Sequence, residues 1–180
     1  MLSKYMKKFN DEQIQRLVVG LILLLLCAFF SAASPHFLKI NNIMTIALQS
    51  SITMICAFGM TYDIIAGAID LSLGSTVALS GCITTIILRV NVPLPLAILG
   101  GLSVGFVVGF VNGTLVSRFK IPPFITTLAA QMYIRGIAMV ITNAQSIFVK
   151  TTDSFKKLAS TYVFDFVPLP VVFMIAVAVI

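Results

Sequence analysis

The sequence contains 180 residues, of which 59% are hydrophobic and only 10% are charged, and its mean hydropathy is +1.07. A soluble domain carries about 25% charged residues, so this composition excludes an ordinary soluble domain and predicts a membrane protein. The net charge of +6 does not indicate a nucleic-acid partner, because the basic residues lie at the ends of apolar runs rather than in one patch.

Charged residues divide the sequence into six apolar runs. A helix needs about 20 mainly apolar residues to cross a bilayer, and the first four runs are long enough, whereas the fifth carries an arginine. These runs predict an all-α fold, a polytopic transmembrane helix bundle that forms a single transmembrane domain over residues 1–180. The predicted spans cover about 17–34, 43–65, 71–89, 94–117, 124–142 and 164–180.

The first run has an alternative interpretation as a secretory signal peptide. Basic residues precede it, and the small residues 31–33 resemble a cleavage site. Its apolar stretch is longer than the 7–15 residues of a typical signal peptide, and Pro35 follows directly, so we interpret it as an uncleaved anchor. With the N-terminus inside, lysine and arginine are more frequent on the inner side once the long loop at 143–161 is left out, so the N-terminus is predicted to be cytoplasmic.

A cluster of charged and small residues interrupts the apolar pattern between Gly67 and Ser75. Lipid tolerates neither an unpaired carboxylate nor an irregular backbone. The cluster therefore predicts a broken or re-entrant segment near residues 66–75 that faces protein or a water-filled path. The candidate residues of this broken-helix motif or of a translocation path are Asp63, Gly67, Asp70, Ser72, Gly74, Ser75, Asn112 and Arg135.

Asp70 has two interpretations that are compatible with each other. Asp70 or Ser72 is suited to cap a new helix after the break, since both residue types favour the N-cap position and a carboxylate is stabilised by the helix dipole there. Alternatively, Asp70 contacts a substrate directly, because broken helices often form transport sites.

Asp63 also has two interpretations. The first places it near the inner membrane interface, where a charge costs little. The second pairs it with Arg135, the one arginine inside a predicted span, because an ion pair would remove the cost of both charges.

The fourth run carries a pattern typical of helix packing. Gly101, Gly105, Gly109 and Gly113 recur every four residues and would form one flat helix face that lets another backbone approach closely. Asn112 lies beside this face and is placed to form a hydrogen bond across it. After this run, the paired prolines 122–123 predict a rigid turn that starts the fifth helix.

The sequence carries no constellation for catalysis or for metal binding. Cys27, Cys56 and Cys82 lie in apolar runs without metal-ligand spacing, and His36 is the only histidine. A GxxxxGK[ST] phosphate loop is absent. We therefore predict that the chain is not an enzyme and that it holds no metal and no cofactor.

Four segments carry a resemblance to a known family: 34–42, 59–61 with 67–75, 112–113, and 121–128 with 135–136. Together they cover about residues 17–148, and they resemble the membrane-spanning permease subunit of bacterial ABC importers of the ribose/monosaccharide type. The chain departs from the pattern of that family at Ala68, where a glycine is usual, and at Asp63, where the residue is normally apolar.

The resemblance implies a permease subunit that forms the translocation path for ribose or a similar monosaccharide in the bacterial cell (inner) membrane. Its implied partners are a cytoplasmic ABC ATPase subunit, which would hydrolyse ATP, a periplasmic or extracellular sugar-binding protein, a second permease subunit in a homo- or heterodimer, and membrane lipid. Because family members are longer, with about ten spans, the chain looks like an N-terminal part. Two alternatives are a small oligomeric channel with Asp63 and Asp70 in a cation-attracting ring, and a non-transporting membrane fragment or scaffold.

Overall fold

The computed structural model describes residues 11–148, 162–163 and 167–179. In this part of the chain, two-residue strands β1 (Tyr162–Val163) and β2 (Val167–Pro168) pair in an antiparallel manner, and most of the remaining residues are helical. The all-α class is therefore confirmed, with one very short strand pair that the sequence did not predict. The helices are α1 (Asp11–Ala33), α2 (Ile40–Ile65), α3 (Leu73–Arg89), α4 (Leu94–Ser117), α5 (Pro123–Ile141) and α6 (Leu169–Val179).

Among the described residues, four helical segments are long and apolar enough to cross a membrane: 13–33, 40–65, 94–117 and 123–141. Helix α3 has 17 residues and α6 has 11, so the predicted spans 71–89 and 164–180 correspond to shorter helices. The predicted sixth span also includes residues 164–166 and 180, which lie outside the described residues. Membrane crossing by α3 and α6 stays a prediction.

The chain divides into two compact units, the first ending at Ala47 and the second beginning at Leu48. In the first unit, α1 presents large apolar side chains to its surroundings, and Leu24 is 68% exposed. After α1 the chain turns with Phe30 and Phe37 stacked at 5.9 Å between ring centroids. The Asn42 side-chain amide donates a hydrogen bond to the Phe37 carbonyl, which fixes the start of α2.

The core of the second unit lies where α3, α4 and α5 pack against one another. Small side chains allow these helices to approach closely, as at Ala97 and Ala130, which are fully buried. The buried apolar cluster consists of Leu79, Val108, Ala130, Ile134 and Ala138.

The break after α2 lies where the sequence predicts it. Gly67 adopts a left-handed backbone with φ of 74°, and its N–H donates to the Ile64 carbonyl at 3.0 Å, while the Ala68 N–H donates to the Asp63 carbonyl at 2.8 Å. This pair of hydrogen bonds is the Schellman motif, which ends helices and favours glycine at this position. Residues 68–72 are irregular, and α3 begins at Leu73. The broken segment is therefore confirmed.

Proline starts two further helices in the second unit. Pro122 is the N-cap residue of α5, and Pro123 is its first helical residue, a position that proline suits because the N–H it lacks has no partner there. Helix α4 also has a proline as its N-cap residue, Pro93, and a second proline, Pro95, at its second helical position. The turn between α4 and α5 therefore follows the prediction from the paired prolines.

Candidate functional site

The irregular segment 68–72 is organised by the carboxylate of Asp70. Its Oδ1 accepts a hydrogen bond from the Ser72 N–H at 2.7 Å and another from the Ser72 hydroxyl at 2.6 Å. Ser72 occupies the N-cap position of α3, but its own side chain makes no capping hydrogen bond. The Asp70 carboxylate thus lies just before the positive end of α3, where a negative charge is stabilised.

Two neighbouring helices hold the same segment from the side. The Asn112 amide on α4 donates to the Ser72 hydroxyl oxygen at 3.1 Å. The Thr127 hydroxyl on α5 lies 3.0 Å from the Ile69 carbonyl and 3.0 Å from the carbonyl of Pro123, on its own helix. These contacts join the break to α4 and α5 across 40 and 58 residues of sequence.

The hydrogen bonds around Ser72 have a fixed direction. An ionised carboxylate only accepts, so the single hydroxyl hydrogen of Ser72 is donated to Asp70. Ser72 is then left to accept from Asn112, which must turn its amide nitrogen toward it. The opposite atom, Asn112 Oδ1, is buried and has no hydrogen-bond partner among the described residues. Ser72 is 0% exposed and Asn112 is 8% exposed, so the contact between them is shielded from solvent, whereas Asp70 is half-buried.

A cavity of about 190 Å³ adjoins the break. Two charged residues among those described line it, Asp63 on α2 and Asp70 in the irregular segment, and both are half-buried. No basic side chain of the described residues lines it. The lining residues are Asp63, Ala68, Ile69, Asp70, Gly109, Asn112, Gly113, Val116, Pro123 and Thr127.

The other candidate residues of the motif have structural positions around the break. Gly67 forms the exposed turn described above. Gly74 lies exposed in the first turn of α3, with open space where a Cβ would stand. Ser75 is buried and its hydroxyl donates to the Ser72 carbonyl at 2.8 Å. Gly67 thus ends α2, Gly74 and Ser75 lie at the start of α3, and none of the three lines the small cavity.

Arg135 is not part of this constellation. It lines a second cavity of about 470 Å³ together with residues of α3 and of the turn that follows α5. Thr127, which lies beside the break, precedes Arg135 by eight residues on α5, or about 12 Å along the helix axis. Within the described residues no ion pair joins Arg135 to Asp63. The hypothesis of an Asp63–Arg135 pair is therefore not supported, because the fold places these charges in different cavities.

The glycine face of α4 has two kinds of environment. Gly101 is buried, and a Cβ there would collide with the Thr84 hydroxyl and lie 3.2 Å from the Ser80 carbonyl on α3. Gly105, Gly109 and Gly113 have open space at the same position. A packing role for these three stays a prediction. The sequence did not single out Gly100, where a Cβ would collide with Ile87.

Thr127 is the site residue that sequence reasoning missed. It stands within a segment that carries the family resemblance, but no local pattern indicated that its hydroxyl would reach the break. For metal binding, no group of three or more His, Cys, Asp or Glu side chains comes together among the described residues.

Comparison with known proteins gives a family. Residues 42–180 match the family described as branched-chain amino acid transport system / permease component. The chain belongs to this permease family. Its relatives include sugar permeases, and its sequence is 38% identical over 161 residues to the D-allose transport system permease protein AlsC of Escherichia coli K12, covering 88% of this chain and 49% of that protein.

Two further relatives carry names of sugar permeases. The ribose import permease protein RbsC of Bacillus subtilis is 36% identical, with 94% of this chain and 53% of that protein covered. The L-arabinose ABC transporter permease protein AraH of Azospirillum brasilense is 32% identical, with 77% of this chain and 41% of that protein covered. The chain thus spans about half the length of the curated relatives it matches. No solved structure matches the chain.

Proposed function

We propose that the chain forms part of the translocation path of an ATP-driven ABC importer for ribose or a similar monosaccharide. The observation that carries this proposal is the similarity to permeases named for allose, ribose and arabinose over most of the chain. The family description names branched-chain amino acids, but the three relatives reported above, which match most of the chain, are named for sugars. We therefore favour a sugar over an amino acid.

The geometry of the break supports a role in the path. Asn112 contacts Ser72 and Thr127 contacts the Ile69 carbonyl, and these contacts tie the irregular segment to two helices that are long and apolar enough to span a membrane. Irregular backbone at membrane depth is tolerated where protein buries it or where it lines a cavity. The adjoining cavity offers carboxylate oxygens as acceptors for sugar hydroxyl groups. In this proposal Asp63 lines the path, and Gly67, Gly74 and Ser75 shape the break beside it.

The proposal includes location and partners. The chain would lie in the bacterial inner membrane with a cytoplasmic N-terminus. A cytoplasmic ABC ATPase subunit would hydrolyse ATP, a periplasmic or extracellular protein would deliver the sugar, and a second permease subunit would complete the path. Fusion of green fluorescent protein to the N-terminus tests the orientation, since this reporter fluoresces only if it folds on the cytoplasmic side.

Uptake measurements test the transport role. The chain would be reconstituted in liposomes with the ATPase subunit, the binding protein and the second permease subunit proposed above, and uptake of labelled ribose, allose, xylose and arabinose would be measured. We expect ATP-dependent accumulation of at least one sugar. Uptake that needs no ATP, or ion currents without sugar uptake, would instead favour a channel and contradict the proposal.

Substitution of Asp70 separates its two suggested roles. Asp70→Asn keeps an oxygen acceptor for Ser72 but removes the charge, whereas Asp70→Ala removes both. If the carboxylate contacts the sugar, Asp70→Asn lowers uptake while the helical content and thermal stability of the protein change little. If Asp70 acts only as a local hydrogen-bond acceptor, Asp70→Asn retains uptake and only Asp70→Ala loses it.

A further inference from the structure

Arg135 has no oppositely charged partner among the described residues, although it lies inside a helix long and apolar enough to cross a membrane. It precedes the last residue of α5 by six positions, or about 9 Å along the helix axis. An arginine at this depth usually extends toward the interface or pairs with a polar group. The second cavity, called here the Arg135 cavity, provides space for such a group, with a volume of about 470 Å³.

The polar groups of the Arg135 cavity are suited to a negatively charged ligand. Thr85 on α3 and Gln145 in the turn after α5 line it together with Arg135, and no described residue forms a hydrogen bond with any of these three side chains. Within the described ranges, no acidic residue lines the cavity. Arg135 therefore contributes an unneutralised positive charge, and Thr85 and Gln145 add neutral hydrogen-bond donors beside it.

The turn that brings Gln145 to the cavity has an unusual backbone. Asn143 and Ala144 both adopt the left-handed region, with φ of 50° and 54°, and the Ala144 N–H donates to the Met139 carbonyl at 2.7 Å. This conformation disfavours alanine by about 1–2 kcal/mol. The hydrogen bonds of the turn nevertheless hold it, and this conformation returns the chain from the end of α5 to the Arg135 cavity.

We propose that the Arg135 cavity is an oxyanion site that takes a phosphate group. The planar guanidinium group matches two phosphate oxygens at once, and lipid phosphate groups lie at the membrane interface, toward which an arginine near a helix end extends. The same chemistry is available from a lipid headgroup or from a free phosphate ion, and the experiment distinguishes these sources. This inference does not depend on which solute the protein carries.

The test uses the full chain in a non-ionic detergent at constant ionic strength. Three probes are compared: dioleoylphosphatidylglycerol, dioleoylglycerol, which has the same tails without phosphate, and sodium phosphate. Thermal unfolding followed by circular dichroism gives the stabilisation, and native mass spectrometry counts the retained lipid. We expect the phospholipid to raise the unfolding midpoint and dioleoylglycerol to leave it unchanged. If sodium phosphate raises the midpoint as well and does so through Arg135, a free phosphate ion is also accepted.

The variants assign the effect to Arg135. Arg135→Gln should weaken phospholipid binding by about tenfold or more, because a charge-assisted hydrogen bond is lost. Arg135→Lys should keep part of the affinity, since it retains the charge without the planar group. Arg118→Gln is the matched control, because Arg118 is exposed at the end of α4 and does not line the cavity. It should respond like the unmodified protein.

Four results would overturn the inference. They are an unchanged response in Arg135→Gln, equal stabilisation by dioleoylglycerol, no stabilisation by either phosphate probe, and stabilisation by ribose or allose that requires Arg135. The last result would place Arg135 in the sugar path. Loss of the phosphate response leaves the sugar uptake proposed above untouched, so the two proposals fail separately.

Discussion

Replacing Ser72 with alanine would test the hydrogen-bond network that holds the helix break. Ser72 is fully buried, and its hydroxyl donates to Asp70 while it accepts from Asn112. Alanine removes both bonds without creating a steric clash. The Asn112 amide would then have no hydrogen bond at either end among the described residues, and Asp70 would keep only the bond from the backbone N–H of residue 72.

The expected cost follows from these two losses. A buried donor left without a partner costs about 1–3 kcal/mol, and a hydrogen bond to a charged group contributes about 1.5–3 kcal/mol. Alanine also avoids the cost of burying a hydroxyl group, which offsets part of the loss. We therefore expect Ser72→Ala to lower the free energy of unfolding by about 2–4 kcal/mol.

The free energy of unfolding would be measured by titration with sodium dodecyl sulfate in mixed micelles, with helical content followed by circular dichroism. Ser103→Ala is the matched control, because Ser103 is exposed and its hydroxyl bonds only to the Gly100 carbonyl of its own helix. It should change stability by less than about 0.5 kcal/mol. If Ser72→Ala were as mild as this control, the network would not contribute to the stability of the break.

A double substitution isolates the contact between Ser72 and Asn112. Asn112→Leu replaces the amide with an apolar group of similar size, so no buried amide remains to lose its partner. In this background Ser72→Ala should cost less, with a coupling energy of about 1–2 kcal/mol. Additive effects of the two substitutions would show that the side chains do not interact and would contradict the hydrogen bond between Asn112 and Ser72.

Three further predictions use the same unfolding assay. Gly101→Ala should lower the free energy of unfolding by about 1–3 kcal/mol, because the added Cβ collides with α3. Gly105→Ala, the control, should leave stability unchanged or raise it by up to about 1 kcal/mol, and equal effects of the two substitutions would contradict the packing described. Gly67→Ala should lower the free energy of unfolding by about 1–2 kcal/mol, because residue 67 has a left-handed backbone. Gly81→Ala, where a Cβ meets open space within α3, should raise it by up to about 1 kcal/mol. Thr127→Val should cost about 1 kcal/mol through the lost bond to the break, and no loss would mean that this bond is not formed in the membrane.

The helices and the break could be predicted because their causes are local. The length of the apolar runs predicts the long helices, and the paired prolines predict the start of α5. Gly67 and Asp70 predict the break. The Schellman motif depends only on residues within one turn of Gly67. A local feature without a sequence signal was the two-residue strand pair, which is too short to show an alternating pattern.

The contacts between helices could not be predicted in the same way. Four glycines at intervals of four define one face of α4, but only the crossing of α3 decides that Gly101 is the one in close contact. The hydroxyl of Thr127 contacts a carbonyl group 58 residues away in the sequence, and no local sequence pattern around Thr127 indicates this contact. The Asp63–Arg135 pair was wrong for a related reason, because a similar expected depth in the membrane does not specify which cavity a side chain enters.

The two interpretations of Asp70 are reconciled by its two carboxylate oxygens. Oδ1 accepts both hydrogen bonds from Ser72, which accounts for a stable charge at a helix break. Oδ2 makes no hydrogen bond with any described residue, and Asp70 lines the small cavity. A single aspartate can therefore fix the start of α3 with one oxygen and offer the other to a solute. An asparagine at position 70 would keep the hydrogen bonds to Ser72 and weaken the contact with a solute. Sugar uptake should therefore be measured after changing the charge of this side chain while keeping its shape.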